Sequence, residues 1–407
     1  MSANLLTTEP LPSSHPAMDT TSGQMVIPLR MAFVITSMPV GGAETLLFNL
    51  VKKLPARQVE PILCCLKEKG ELGEQLVSTL PLYDRLIRHK YDIRVLGRLK
   101  HIFRQQRTDV VVTVGAGDKM FWGRLAARWA RVPVVLSALH STGWPDGVSR
   151  LNRLLTGLTD GFIGVAEQHG RFLRDQERFP AHKVFVISNG IDTSRFEFSA
   201  LARQFWRAKL RIASDAPVVG IVAALRPEKN HFLFLETARL VADQRPDVRF
   251  VIVGDGPLRP AIEERRDELG LRETVLMLGT QADIPGILSM VDVFALTSDN
   301  EASPVSIMEA LACERPVVST HVGSVDELVV EGETGLLIPP GTAQASAAAW
   351  LKLIEDPSRC LRMGRCGRDR IVKRHSLESM ADAYAALGRR LWLSAKGRFQ
   401  PIGSTPR

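Results

Sequence analysis

The sequence predicts an α/β fold of two Rossmann-like domains, each a parallel sheet covered by helices, facing one another across a cleft. Three observations carry this reading. The chain has 407 residues, more than one hydrophobic core usually supports. Short apolar runs bounded by turn residues alternate with helix-length segments, the order that builds parallel sheets with both faces covered. That order breaks at a polar helical stretch, "ARQFWRAKLRIASDAP", and then begins again.

The elements follow in order. Residues 1–27 are rich in Ser, Thr and Pro, with neither a signal-peptide pattern nor helical periodicity, and are expected to be a disordered leader. In the first domain, 28–195, "RMAFVITS" reads as a buried strand, "MPVGGAE" as a Gly-rich turn and "TLLFNLVKKL" as an apolar-periodic helix. Further strands are read in "EPILCCL", "DVVVTVG", "VPVVLSAL", "GFIGVA" and "KVFVISNG". The second domain, 216–372, opens with "VVGIVAAL" and the helix "HFLFLETARLVADQ". It continues through "VRFVIVGDGP", "TVLMLGT", "DVFALTS", "RPVVST" and "TGLLIPP". A last helix, 376–394, is expected to cross both domains.

Composition excludes several classes. Hydrophobic content of 45% and charged content of 24% are those of a globular protein. No uncharged apolar stretch is long enough to span a bilayer. The five cysteines form no C-x-x-C pair, so no metal site and no disulfide framework are expected. Between Tyr83 and Val132 stand twelve Lys or Arg against four Asp, an excess equal to the whole net charge of +8. This region is either a solvated helix face or a surface that attracts anionic lipid or a phosphorylated acceptor. It lacks the interleaved aromatics of a base-stacking surface, so nucleic acid is not expected.

Ligands of open parallel sheets sit beyond the carboxyl ends of the strands, so candidate site residues are sought in the loops there. Gly41 and Gly42 follow the first strand, where small residues admit either a tight turn or close approach of a ligand. His140 ends the run "VPVVLSAL", and Gly254 lies in "VGDGP", another strand-end turn. "DVFALTSDNEASPVSIMEALACERPVV" reads as strand, loop, helix and strand. Ser303 is expected as the N-cap and Pro304 in the first turn. The free N–H groups of Val305 and Ser306 then make a phosphate site. Glu309, among Ile307, Met308, Ala310 and Leu311, is a carboxylate costly to bury without a polar partner. At about 1.5 Å per residue it lies roughly 8 Å below the helix start, the depth of a ribose when phosphates occupy the tip.

Taken jointly, these stretches resemble the retaining glycosyltransferases of family 4, which have the GT-B fold. The motifs that carry the resemblance run from "MPVGGAETLLFNLV" through "HSTGWP", "VISNGID", "LRPEKNHFLFLETARLV" and "FVIVGDGPLRPAIEERRDELGL" to "VSTHVGSVDELVVEGETGLLIPP". Glu301 and Glu309 are its paired glutamates. The resemblance implies that Glu309 binds the ribose of a nucleotide-sugar and that Glu301 and His140 act at the donor sugar. Lys229 and the amides around Ser303, Pro304, Val305 and Ser306 hold the diphosphate. Asn189, Gly190 and Asp192 shape the junction. It implies same-face transfer to a hydroxyl of a saccharide or lipid-linked glycan. No cofactor is expected, and no metal, since a helix end and basic side chains can take the charge a cation would carry and "LTSDNEAS" has no D-x-D motif. The protein is expected to be cytoplasmic, with any membrane contact peripheral and at the inner face. The chain departs from the pattern at Ala224, where an arginine is usual, and at Ala302 and Glu314, where glycine is usual. Arg226, two residues along an extended strand end, is expected to serve the phosphate in place of the missing arginine. Rival readings are a nucleotide-sugar or glycan-binding protein without turnover, for which Ala224 speaks, and a basic membrane or nucleic-acid adaptor.

Overall fold

The structure is a computed structural model that describes residues 17–18, 25–89, 92–115, 118–140 and 153–398. It divides into two compact units. The first comprises the chain to Val165, Gly170–Ile187 and everything from Glu378 onward; the second comprises Ala166–His169 and Ser188–Leu377.

The first unit holds a seven-stranded, wholly parallel sheet. Across it lie Leu82–Tyr83, Val59–Cys65, Leu29–Ile35, Val110–Val114, Val134–Ala138, Gly161–Gly164 and Val184–Val186. In chain order this is 3-2-1-4-5-6-7, the doubly wound arrangement. Strands such as Val110–Val114 and Val134–Ala138 are buried throughout, which is why their sequences are continuous apolar runs. The edge strand Leu82–Tyr83 is two residues long, too short for periodicity to reveal. A further two-residue pair, Ala17–Met18 with Met25–Val26, is antiparallel and lies within the stretch expected to be disordered. Residues 1–16 and 19–24 of that stretch fall outside the described residues.

The last helix, Leu377–Arg398, lies with this unit from Glu378 on. A Cβ at Gly388 would come within 2.8 Å of Met31, so glycine lets the helix pack closely over the first strand. Trp392 donates to Asp109 at 2.9 Å, and Arg389 donates to the carbonyl of Ile27 at 2.6 Å.

The second unit repeats the plan with six parallel strands. Their order is Val275–Gly279, Arg249–Val253, Val218–Val222, Val293–Leu296, Val317–Thr320 and Gly335–Ile338, or 3-2-1-4-5-6. Helix His231–Gln244 follows the first of these strands in chain order, and Val305–Ala312 follows the fourth. Under them Phe234, Phe250 and Trp350 pack in one core. The strand order reverses between Val218–Val222 and Val293–Leu296, and ligands of such sheets bind at that point.

Helix Val305–Ala312 ends at Cys313, and Glu314 follows at φ +60°, a left-handed conformation that glycine adopts without strain. Glu314→Gly is therefore expected to stabilise the unit by about 1 kcal/mol. The check is a higher denaturant midpoint with unchanged slope.

Candidate functional site

Two loops meet at the switch point of the second unit. Residues 223–230 follow strand Val218–Val222, and 297–304 follow Val293–Leu296. Backbone and side chains stitch them together. Asp299 N–H donates to the Glu228 carbonyl at 2.9 Å, Asn230 Nδ2 to Asp299 Oδ1 at 3.0 Å, and Thr297 Oγ1 to the Asn230 carbonyl at 3.0 Å. Asn230 sits at φ +44°, and its side-chain oxygen caps helix His231–Gln244 by accepting from Leu233 N–H.

This stitching brings Lys229 onto Glu301. Lys229 Nζ lies 2.6 Å from Glu301 Oε1, and Ser298 Oγ donates to the same oxygen at 2.7 Å. Glu301 is only 7% exposed, so its charge is held by these two donors; Lys229 is 23% exposed. An ammonium has three donors, so the ion pair leaves Lys229 able to serve a second anion. Below Glu301, Thr320 Oγ1 donates to the Ser298 carbonyl at 2.5 Å, and Ser324 N–H donates to the Glu301 carbonyl at 3.3 Å.

Helix Val305–Ala312 begins beside this pair, one residue later than expected. Pro304, with φ −72° and ψ 110°, is the N-cap and not the first helical residue, and Ser303 lies outside the helix. Pro304 fits there because its carbonyl accepts from Ile307 N–H at 3.2 Å while it has no N–H to leave unpaired. Val305 and Ser306 occupy the first turn, where N–H groups have no intrahelical acceptor and carry the positive end of the dipole. Asn189 Nδ2 donates to the Ser303 carbonyl at 3.4 Å, fixing the approach to that turn.

Glu309 lies on the same helix, half-buried among Ile307, Met308, Ala310 and Leu311. Its carboxylate makes no hydrogen bond or ion pair with another side chain among the described residues. Burial pushes its carboxyl up to about 7, against a smaller opposing pull from Arg195. The charged form is therefore the costly one in the free protein. That cost is absent below the ordinary carboxylate range, where the group is neutral folded or unfolded, and stability is lost as pH rises from there through about 7. A ligand that donates hydrogen bonds to the carboxylate favours the ionised form, so the affinity of such a ligand is expected to rise about tenfold between pH 6 and pH 8. Glu309→Gln should flatten that profile in calorimetric titrations.

The strand-alternation argument for Arg226 requires a correction. The residue is extended, with φ −122° and ψ 157°, as the following proline dictates. However, its N–H donates to the Ala224 carbonyl at 2.8 Å, so the chain turns tightly at Leu225 and is not a continuing strand. Leu225 is buried and gripped from both sides: its N–H donates to Asp255 O, and its carbonyl accepts from Leu258 N–H. Alternation therefore does not place Arg226 and Ala224 on one face. Both are exposed in the loop that carries Lys229.

Gly254 has φ +134°, and a Cβ there would run into the Ala223 carbonyl oxygen. Glycine at 254 thus lets the turn after Arg249–Val253 lie directly beneath the Lys229 loop. Gly41, Gly42 and His140 belong to the other unit. Gly41 is the N-cap of helix Gly42–Lys53, and Gly42 is its first residue, so the helix starts inside the expected turn. A Cβ at Gly41 would meet the Glu44 carboxylate at 2.6 Å, whereas one at Gly42 would meet nothing within 4 Å. His140, two residues past strand Val134–Ala138, is half-buried; residues 141–152, including the rest of "HSTGWP", lie outside the described residues.

Three residues of this site escaped the sequence reading. Ser298 holds Glu301, and its only sequence signal is a small polar residue directly after a buried strand. Gly323, at φ +51°, packs so closely that a Cβ would strike the Glu301 carbonyl oxygen. His231 is buried beside Lys229 with neither ring nitrogen hydrogen-bonded, and burial, with Lys229 adding to it, lowers its pKa to about 4. It is therefore a neutral imidazole.

Comparison with known proteins covers parts of both units. The model of the glycosyl transferases group 1 family matches residues 202–370, and that of Glycosyltransferase Family 4 matches 40–195. The chain belongs to the group 1, family 4 glycosyltransferases. Among its relatives is the Escherichia coli UDP-Gal:alpha-D-GlcNAc-diphosphoundecaprenol alpha-1,3-galactosyltransferase, 25% identical over 370 residues, 87% of this chain and 95% of that one. Another is the lipopolysaccharide core biosynthesis glycosyltransferase LpsE of Rhizobium meliloti, 28% identical over 354 residues, 85% of this chain and 95% of that one. Among solved structures, Anabaena Alr3699/HepE in complex with UDP superposes with a TM-score of 0.79 at 22% identity, covering 89% of this chain and all of that one. The glycosyltransferase thus has the GT-B fold, built from the two doubly wound units described above.

Proposed function

We propose that this glycosyltransferase takes a sugar from a UDP-sugar and transfers it, with retention, to a hydroxyl of a saccharide or lipid-linked glycan. The observation that carries the reading is the Lys229–Glu301 ion pair beside the open first turn of helix Val305–Ala312, at the switch point of a doubly wound sheet. The diphosphate sits on the N–H groups of Val305 and Ser306 and takes a second hydrogen bond from Lys229, with Arg226 reaching in from the same loop. The ribose hydroxyls donate to Glu309, deeper along the helix. Glu301, fixed by Ser298 and Lys229, meets the donor sugar. Helix end and ammonium stabilise the charge that develops on the leaving phosphate, the part a metal ion plays elsewhere. That phosphate accepts the proton of the attacking hydroxyl on the same face of the sugar. His140 is proposed to act on the donor sugar, with Gly41 and Gly42 leaving room for a ligand.

UDP is favoured over other nucleotides by the relatives whose names or structures specify it. The lipid-diphosphate acceptor of the E. coli relative favours work at a membrane. No helix among the described residues is long and apolar enough to cross one, so attachment is proposed to be peripheral, through the basic 83–132 region. The experiment is a thermal-shift series with UDP, GDP and ADP. A ligand at a hundred times its dissociation constant stabilises by about 2.7 kcal/mol, so UDP alone should raise the melting temperature by several degrees. Equal shifts from all three would remove the base assignment, and no shift from any would remove the donor site.

A further inference from the structure

The basic region and the end of the C-terminal helix meet at one rim of the first sheet, where strands Val110–Val114 and Val134–Ala138 begin. Asp109 is the meeting point. Its Oδ1 accepts from Trp392 Nε1 at 2.9 Å, its Oδ2 from Arg30 N–H at 3.1 Å, and its carbonyl from Val134 N–H at 3.2 Å. Arg107 lies two residues before Asp109, and Arg131 three before Val134; both are exposed at left-handed turns, with φ +48° and +63°. Trp392 therefore anchors the last turns of the C-terminal helix beside these two arginines.

Not all of the basic region is available for a partner. Arg124 is fully buried against Thr159, Arg128 pairs with Asp160 at 2.7 Å, and Arg98 pairs with Asp92 at 2.8 Å. Arg85, Arg88 and Arg94 are exposed at or before the start of helix Val95–Gln105, and Arg104, Arg107 and Arg131 are exposed toward the rim. With them stand large apolar groups in contact with cations. Trp129, 54% exposed, lies under the Lys100 ammonium at 3.7 Å from its ring centre. Trp392 lies under Lys396 at 3.8 Å, next to Leu393, which is 56% exposed. Cations would suit any acidic partner. Exposed tryptophan and leucine set among cations suit the boundary between lipid headgroups and acyl chains.

We propose that an anionic lipid surface docks on this rim, and that the last turns of the C-terminal helix, through Leu393 and Lys396, form part of the docking surface together with Arg104, Arg107 and Arg131. The inference rests on the peripheral-membrane reading above and extends it to a second, sequence-distant element. It is tested by sedimentation of the full chain with phosphatidylcholine vesicles, with and without phosphatidylglycerol, at low salt. The wild type should bind only the anionic vesicles. Leu393→Glu with Lys396→Glu should weaken that binding about tenfold or more, as should Arg104→Glu with Arg107→Glu. Both variants should keep the wild-type UDP-induced thermal shift. Lys396→Gln, with a smaller release, serves if the first double variant does not fold. Release by the arginine variant alone would overturn the helix's part and leave the membrane reading standing. No binding of the wild type to anionic vesicles would overturn both. Equal binding to DNA and to vesicles would point to charge alone and overturn the lipid assignment.

Discussion

Glu301→Ala is expected to lower turnover by about a hundredfold or more, the scale of removing a group that acts mainly in the transition state, while leaving UDP affinity nearly unchanged. The asymmetry follows from the ion pair. Removing the carboxylate frees Lys229, which is 23% exposed and retains its donors for phosphate. Lys229→Ala is expected to behave differently. It leaves Glu301, 7% exposed, with Ser298 as its remaining donor among the contacts at that oxygen. An under-satisfied buried carboxylate costs about 1 to 3 kcal/mol, discounted here because Lys229 is partly in solvent. This variant should therefore lose stability as well as UDP affinity. In the double variant the stability loss should shrink, since no buried charge is stranded. Denaturant titration and calorimetry on the three proteins check this. Parallel losses of stability and affinity in both single variants would contradict the assignment of Glu301 to the sugar and Lys229 to the phosphate.

The second large effect is expected at a residue that touches no ligand in this scheme. Gly323→Ala places a Cβ against the Glu301 carbonyl and forces a side chain into a left-handed conformation. The conformation alone costs about 1 to 2 kcal/mol, and overpacking adds about 1 to 3. Relief by moving the 297–304 loop displaces Glu301, whose carboxylate must stay on Lys229 and Ser298. Turnover measured well below the melting temperature is therefore expected to fall at least about tenfold, since a displacement near 1 Å at a reacting group has effects of that size or larger. Gly254→Ala, which collides with Ala223 beneath the Lys229 loop, should lose comparable stability but show its defect chiefly in UDP affinity. If both alanine variants keep wild-type kinetics at low temperature, the two glycines serve the fold only.

The sequence by itself determined the order of most strands and helices, the restart that makes two units, and the loops that follow the strands. These are local properties: apolar period, turn residues and Pro–Gly punctuation act within a few residues. It also marked Glu309 as a carboxylate in apolar company, and the structure keeps it half-buried with its carboxyl raised to about 7. Tertiary structure alone decided which groups meet. Glu301 finds Lys229 72 residues away, and Gly323 reaches Glu301 from the loop after the next strand. Leu225 is forced into a tight turn by Asp255 and Leu258, which undid the strand-alternation argument for Arg226. The twelve basic residues of 83–132 look alike in sequence, but packing buried Arg124, paired Arg98 and Arg128, and left Arg107 exposed two residues from Asp109, which holds a helix from the far end of the chain. A residue's type fixes what it can donate or accept. Its partner is fixed by where the chain returns in space, and that return is set by the packing of whole sheets and helices, which no local window contains.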